Sequence, residues 1–427
     1  MNPFAFRFRH ASQDVSPLMR GLVAFGSAEM INRVVRILAI VVIARQVSPN
    51  IMGVAALALS LFEVVRALAN AGIGQRIIAA DVDALAATCN TALRLFWCWC
   101  LGVAAIQLVL AAGLHLFGMQ EIPLMLALLS GVYLFMPAGL VQVFLLMREE
   151  RFGTIARIAT VQNVSDHLLT LLFVLLWPSA WAIVLPKLVT APVWLVLVRR
   201  AKRWVPQHEA GYVPWRTFMG FAVGVLITEM VNVARTQLDK LIVGAVFGVK
   251  ALGIYYFAFN AGLGITTSFV MALGQILFPY ICRADGLADR RRRCRKGLML
   301  ALVVFMPVLL LQVCLAPWYV PFIFGAQWTP SAPLVSILGL GAMPMIFAAV
   351  ASAWLRALDQ PGVEAMMSSM ATAAALGGLA AFAGWGLLVA AGAYVAGLAL
   401  ILIPGSIWCL RQDAGIVQRM PFKRACA

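Results

Sequence analysis

Residues 290–316 read RRRRCRKGLMLALVVFMPVLLLQVCLA. Six of the first seven positions are Arg or Lys, and the next twenty, Gly297–Ala316, carry no charge. At a helical rise of about 1.5 Å per residue, about twenty apolar residues match the hydrocarbon thickness of a bilayer. The cations at the head of the run mark the end that stays in the cytoplasm. The rest of the chain repeats this pattern. Of its 427 residues, 63% are hydrophobic and 12% charged. A soluble domain carries about twice that share of charge, so most of the apolar surface must face lipid.

Read this way, the chain holds twelve spans: 18–44, 51–74, 89–113, 122–147, 154–176, 180–198, 217–247, 252–281, 297–316, 331–355, 363–383 and 386–410. The expected fold is an all-α integral membrane protein of about twelve transmembrane helices. It divides into a basic amphipathic lead-in (1–17), a six-helix bundle (18–198), a cytoplasmic linker (199–216), a second six-helix bundle (217–410) and a cytoplasmic tail (411–427). With the N-terminus inside, 24 of the 33 Lys and Arg fall in inside segments or, as Arg20 and Arg94, near the inside ends of spans, two fall outside (Arg45 and Lys250) and seven lie deeper within spans. That imbalance sets the orientation and requires an even number of spans, with both termini cytoplasmic. The first apolar run starts near Leu18, is interrupted by Glu29, Arg33 and Arg36, and has no small-residue cleavage site after it, so a cleaved signal peptide is not expected.

The net charge of +16 is what arginine-rich loops against anionic lipid produce. No basic stretch alternates with aromatics as a nucleic-acid surface would, and nucleic acid is not an expected partner. The eight cysteines form no C-x-x-C and read as reduced thiols. No phosphate loop for ATP, H-E-x-x-H or G-x-S-x-G occurs. Asp81-Val82-Asp83 imitates the D-x-D of sugar-nucleotide transferases but stands alone. A transporter, not an enzyme, is expected, with no cofactor and no metal. Any uphill work must then come from an ion gradient, H+ or Na+, or from consumption of the product.

An internal repeat is visible without gaps. Residues 29–32 read E-M-I-N and residues 229–232 read E-M-V-N, 200 positions later. At that offset Gly53 meets Gly253, and Val41-Val42-Ile43 meets Leu241-Ile242-Val243. The repeat lays span 1 over span 7 and relates the two bundles by a pseudo-two-fold axis, which in transporters places a binding site near the midplane.

Charges inside spans follow the repeat. Span 1 carries Glu29, Asn32, Arg33 and Arg36 on one helical face, and span 7 carries Glu229, Asn232, Arg235, Thr236 and Asp239. Span 2 adds Glu63 and Arg66; span 5 adds Gln162, Asn163, Asp166 and His167. Lys187 and Lys240 are also in spans. Two readings compete. In one, Glu29 with Arg33 and Arg235 with Asp239 are i,i+4 pairs that neutralise each other. In the other, the stripes line a polar cavity whose surplus positive charge takes an anionic ligand. On the second reading Arg33, Arg36, Arg235, Arg66, Asn32 and Asn232 are candidate substrate-binding residues. Glu29, Glu229, Asp239 and Asp166 are candidate ion-coupling sites.

Several stretches resemble a known family. I-A-R-Q-V-S-P-N-I-M-G at 43–53 is similar to the signature after the first span of polysaccharide exporters, with Met52 where Tyr is usual. N-A-G-I-G-Q-R-I-I at 70–78, Q-L-D-K-L-I-V-G at 237–244 and A-L-G-I-Y-Y-F-A at 251–258 continue the resemblance. So do Leu277-Phe278-Pro279, Phe324-Gly325, Trp328 and Pro330. The family is that of the Wzx-type lipid-linked oligosaccharide flippases, in the multidrug/oligosaccharidyl-lipid/polysaccharide exporter superfamily. Some relatives have fourteen spans where this chain has twelve. The resemblance implies alternating-access movement of an undecaprenyl-diphosphate-linked oligosaccharide across the bacterial inner membrane, for exopolysaccharide, capsule or O-antigen. It implies membrane lipid, the lipid-linked glycan, a polysaccharide polymerase and chain-length proteins as partners. Two other readings are a cation-coupled drug antiporter of the same superfamily, which an arginine-rich cavity disfavours, and a membrane polymerase or ligase, which lacks its usual large outside loop here.

Overall fold

The computed structural model describes residues 35–411, apart from 70–71, 265–269, 271–272, 275–276, 279, 283 and 285. The lead-in, most of the first span and nearly all of the tail lie outside the described residues, which are largely helical, with no strand among them. In order the helices are α1 (35–46), α2 (Pro49–Leu68), α3 (Ile73–Ile78), α4 (Leu85–Leu116), α5 (Glu121–Leu129), α6 (Val132–Phe135), α7 (Pro137–Arg148), α8 (Phe152–Leu176), α9 (Ala180–Ala201) and α10 (Arg216–Ala258). They continue with α11 (Leu287–Tyr319), α12 (Ala332–Leu340), α13 (Ala342–Ala357), α14 (Pro361–Ala381) and α15 (Leu387–Arg411).

Among the described residues nine helices are long and apolar enough to cross a membrane, or ten if the bent run from Glu121 to Arg148 is one span. That run turns by 52° at Pro137, where proline removes a helical hydrogen bond. The spans expected at 217–247 and 252–281 begin as one run, α10, interrupted at Gly248. Its φ of 84° and ψ of 173° suit glycine alone, so the chain breaks there and restarts at residue 249. With the bent run counted as one span, this break and the short described part of span 1 reconcile ten spans with twelve. The chain is a multi-pass membrane protein.

The described residues form two compact units. One contains 1–47 and 58–234, the other 48–57 and 235–427. The division falls inside α10, between Ala234 and Arg235. In the first unit α4 packs on α3, α5 and α7, and α8 runs beside α9. Its core includes Ile77, Cys89, Phe96, Val141 and Phe218. Arg148, closing α7, donates to the Ile77, Ile78 and Ala80 carbonyls and so satisfies the C-terminal end of α3. Glu149, in the turn beyond it, is held below the usual carboxylate range by a hydrogen bond from Lys202. In the second unit α14 and α15 pair closely, and α13 packs on α15. A turn at Ala383–Trp385 and Gly386 separates α14 from α15.

Packing against lipid inverts the soluble pattern. On α11 the buried positions include Ala301 and Ala316, while Leu300, Val303, Val308 and Leu311 are exposed. Lipid solvates leucine as well as a protein core does, so helices associate where small residues let backbones approach.

The 200-residue repeat reappears as geometry within the second unit. Helix α1 ends at 46 and α2 starts at Pro49; α10 breaks at Gly248 and restarts at 249. A Cβ added to Gly53 would collide with the Val249 carbonyl and come within 3.0 Å of the Gly253 nitrogen. A Cβ added to Gly253 would collide with the Pro49 carbonyl and come within 2.8 Å of the Gly53 nitrogen. Residue i touches j, and j's equivalent touches i's, which is the signature of a local two-fold axis.

Candidate functional site

Of the span 1 stripe, Glu29, Asn32 and Arg33 lie outside the described residues. Arg36 is half-buried on α1 and close enough to His167 of α8 to act on it electrostatically. Both belong to the first unit.

Also in the first unit, Asp166 on α8 is buried and forms an ion pair with Lys187 of α9, Nζ to Oδ2 2.7 Å. A charge inside a bilayer costs about 2.5–3.5 kcal/mol on insertion scales, which a partner on the neighbouring helix offsets. The second oxygen, Oδ1, is buried with no hydrogen-bond partner. Arg66, in the last turn of α2, takes Glu63 in the same helix, its Nε and Nη2 at 2.8 and 2.5 Å from one carboxylate oxygen. Both groups are partly exposed, so this pair contributes little. Its effect is to leave Arg66 locally neutralised.

In the second unit the expected i,i+4 pairing of Arg235 with Asp239 does not form. Asp239 is fully buried and takes its own neighbour: Lys240 Nζ lies 3.1 Å from Oδ1 and 3.4 Å from Oδ2. The Tyr255 hydroxyl donates to Oδ2 at 3.0 Å. Lys240 also donates to the Thr236 carbonyl at 2.5 Å, and its ammonium sits 4.3 Å from the centre of the Phe259 ring. Arg235 is exposed and donates instead to the Ser368 hydroxyl of α14 at 2.8 Å. The physical reason lies in burial. A buried carboxylate takes whichever cation is buried with it, and Lys240 is, while Arg235 faces away. Arg235 has no ion pair among the described residues. Glu229 is half-buried and Asn232 exposed, and the contact division assigns both to the first unit.

Sequence reasoning therefore found the charged positions but not their partners. Tyr255, Ser368 and Lys187 complete the clusters. Tyr255 stood in view, in the Y-Y dipeptide of the 251–258 stretch. Nothing in sequence ties Ser368 to Arg235, which lies 133 residues earlier. Asp81 and Asp83 occupy an exposed turn before α4.

Chemically, each unit carries two kinds of group. Buried carboxylate–lysine pairs hold net-neutral charge in the membrane interior. Arginines, Arg36 in one unit and Arg235 in the other, supply donors in the forked geometry that phosphate oxygens accept.

Over 312 residues the chain is 24% identical to the succinoglycan biosynthesis transport protein ExoT of Rhizobium meliloti, covering 70% of this chain and 61% of that one. Over 232 residues it is 23% identical to the teichuronic acid biosynthesis protein TuaB of Bacillus subtilis, covering 52% and 46%. The matches thus span about half to three-fifths of these relatives' lengths. Among solved structures, an inward-facing multidrug resistance MATE family transporter of the MOP superfamily aligns with TM-score 0.70 at 15% identity, covering 94% of this chain and 99% of that one. The lipid II flippase MurJ, in an inward closed conformation, aligns with TM-score 0.67 at 11% identity, covering 91% and 88%. These two share the fold, an all-helical two-bundle membrane architecture. Residues 42–333 match the family described as polysaccharide biosynthesis protein. The match covers more than half of the sequence, and the chain belongs to that family.

Proposed function

We propose that this protein flips a lipid-linked oligosaccharide, carried on undecaprenyl diphosphate, from the inner to the outer leaflet of the bacterial inner membrane. The product feeds surface polysaccharide assembly, and movement is by alternating access. Both termini and the 199–216 and 282–296 segments are cytoplasmic in this reading. The observation that carries it is Arg235. It is an arginine in a membrane-spanning helix, and Lys240 has taken the carboxylate that was expected to neutralise it. An unneutralised guanidinium inside the membrane needs an anion, and a diphosphate headgroup is one that the family's polysaccharide chemistry supplies. Arg33 and Arg36 are the corresponding cations of span 1, and Arg66, Asn32 and Asn232 are polar groups for the glycan. Binding and movement are carried by side chains of this chain, with no cofactor; the energy comes from an H+ or Na+ gradient or from polymer synthesis outside.

Arg33→Ala, Arg36→Ala and Arg235→Ala should each stop polymer export and leave the lipid-linked oligosaccharide on the cytoplasmic side. A charge-assisted hydrogen bond contributes about 1.5–3 kcal/mol, so each loss weakens headgroup binding roughly ten-fold or more. The lysine variants keep the charge without the fork and should be intermediate. Arg291→Ala, in the inside loop, should export normally. Full export by all three alanine variants, at normal protein levels, sinks the assignment.

A further inference from the structure

We infer that Asp166 and Lys187 form a proton-controlled anion switch in the first unit: Asp166 Oδ1 is the proton seat, and Lys187 is a phosphate ligand released when that seat fills. This rests on the reading above that the cargo headgroup is a diphosphate.

The two carboxylate–lysine pairs differ in two respects, the partners of the carboxylate oxygens and the burial of the lysine. In the second unit the Asp239 pair is closed. Both oxygens have partners, Lys240 on each and Tyr255 on Oδ2, and both charged side chains are buried. In the first unit the pair is half open. The Asp166 side chain is only 9% exposed, and Lys187 holds Oδ2 alone. Oδ1 is sealed from solvent and accepts nothing. A buried carboxylate oxygen without a donor is a costly arrangement, and a proton on it removes that cost. A metal cation fits less well. The Lys187 ammonium is 2.7 Å from the same carboxylate, and no group of three or more His, Cys, Asp or Glu lies together among the described residues.

Lys187 faces the other way in its degree of burial. Its side chain is 36% exposed. An ammonium exposed inside a span faces a polar space and not lipid. Among the described residues, Arg36 of α1 and His167 of α8 are the charged and titratable groups beside the pair. Of the other helices packed on α8 or α9, α5 has only Glu121 at its first residue, α6 has only Tyr133, whose hydroxyl donates to the Gln107 side-chain oxygen, and α7 has only Arg148 at its last, already bonded to three carbonyls. Among the described residues, Asp166 is the one carboxylate that pairs with Lys187.

The balance is then simple. A proton from water adds to Asp166 and gives the neutral acid. Lys187 keeps its charge, loses its counter-ion, and turns to a phosphate oxygen beside Arg36. Linkage is reciprocal, so protonation of Asp166 strengthens anion binding and anion binding draws in a proton. Acidification therefore tightens binding, and alkali reseats Lys187 on Asp166.

The test is calorimetric titration of the purified full-length protein with farnesyl diphosphate. Titrations run in two buffers of different protonation enthalpy, from mildly acidic to mildly alkaline pH. Inorganic pyrophosphate is run in parallel to separate the headgroup from the lipid tail. Asp166→Asn, which mimics the protonated acid, corrects for the ligand's own protonation. Wild type should take up more protons on binding than Asp166→Asn. At alkaline pH the variant should bind roughly ten-fold tighter than wild type, with the two converging as pH falls. Should Asp166→Asn not accumulate, Lys187→Gln replaces it: binding must weaken, and the extra proton uptake must vanish. Equal proton uptake and equal pH dependence in wild type and variant overturn the switch while leaving the diphosphate reading intact. Uptake replaced by a sodium requirement overturns the proton seat. Binding of neither diphosphate by wild type removes the diphosphate reading, and the switch with it.

Discussion

At the scale of single residues, the account turns on which cation each buried carboxylate takes. Lys240 is 5% exposed and Asp239 1%, so each is the other's desolvated counter-ion. Removing one partner of a buried pair leaves an uncompensated charge and costs about 3–5 kcal/mol, whereas removing both costs far less. Lys240→Met should therefore lower the melting temperature sharply, and Lys240→Met with Asp239→Asn should recover most of it. A fluorescence-detected melt of the detergent-solubilised protein reads this directly, and equal melting of single and double variants would show that the pair is not coupled. The sequence showed both residues but paired Asp239 with Arg235. Helical spacing states which side chains share a face, and not which of two cations is desolvated alongside the acid. The Asp166–Lys187 pair was hidden more deeply, because its members stand on separate helices 21 positions apart.

At the scale of elements, the spans were legible because twenty uncharged residues have few other uses, and the breaks were legible where glycine or proline stands. Gly248 and Pro137 are both at the points where the backbone departs from the helix. The offset of 200 residues was visible as a pattern, but its meaning at Gly53 and Gly253 was not: sequence shows equivalence, and only the fold shows contact. Gly53→Ala and Gly253→Ala should each destabilise the protein or shift its conformational preference, to a similar extent, since either methyl group meets a carbonyl. Gly102 and Gly113 on α4 have nothing within 4 Å of an added Cβ. There alanine should be harmless, or stabilising by up to about 1 kcal/mol through helix propensity. Equal tolerance at all four glycines, measured by melting, would mean that the close approach is dispensable.

The segment between α9 and α10 was expected as a linker, yet it is strapped to α4. The Asn90 side chain donates to the Gln207 and Gly211 carbonyls and accepts from the Gln207 nitrogen, while Thr91 exchanges two hydrogen bonds with Val213. Arg94 lies over the Tyr212 ring, 3.7 Å from its centre. Asn90→Ala removes three of these contacts and should speed tryptic cleavage at Arg203 in the folded protein. An unchanged cleavage rate would show that the strap is held by other contacts.

At the scale of the whole molecule, the proposed orientation and cargo rest on the same residue type used in two ways. In that proposal, arginines in inside loops meet anionic lipid on the cytoplasmic face, and arginines in spans meet a headgroup. The family and fold were readable from short motifs because those motifs carry the turns and close approaches that the fold needs. The cargo was not readable to that depth, since many anions suit a guanidinium. The most direct test is transbilayer movement of a fluorescent undecaprenyl-diphosphate-linked oligosaccharide in proteoliposomes containing the purified protein. The account predicts that wild type moves the lipid to the opposite leaflet faster than protein-free vesicles do, and that Arg36→Ala and Arg235→Ala do not. Movement no faster than in empty vesicles, or movement by the alanine variants at the wild-type rate, would contradict it.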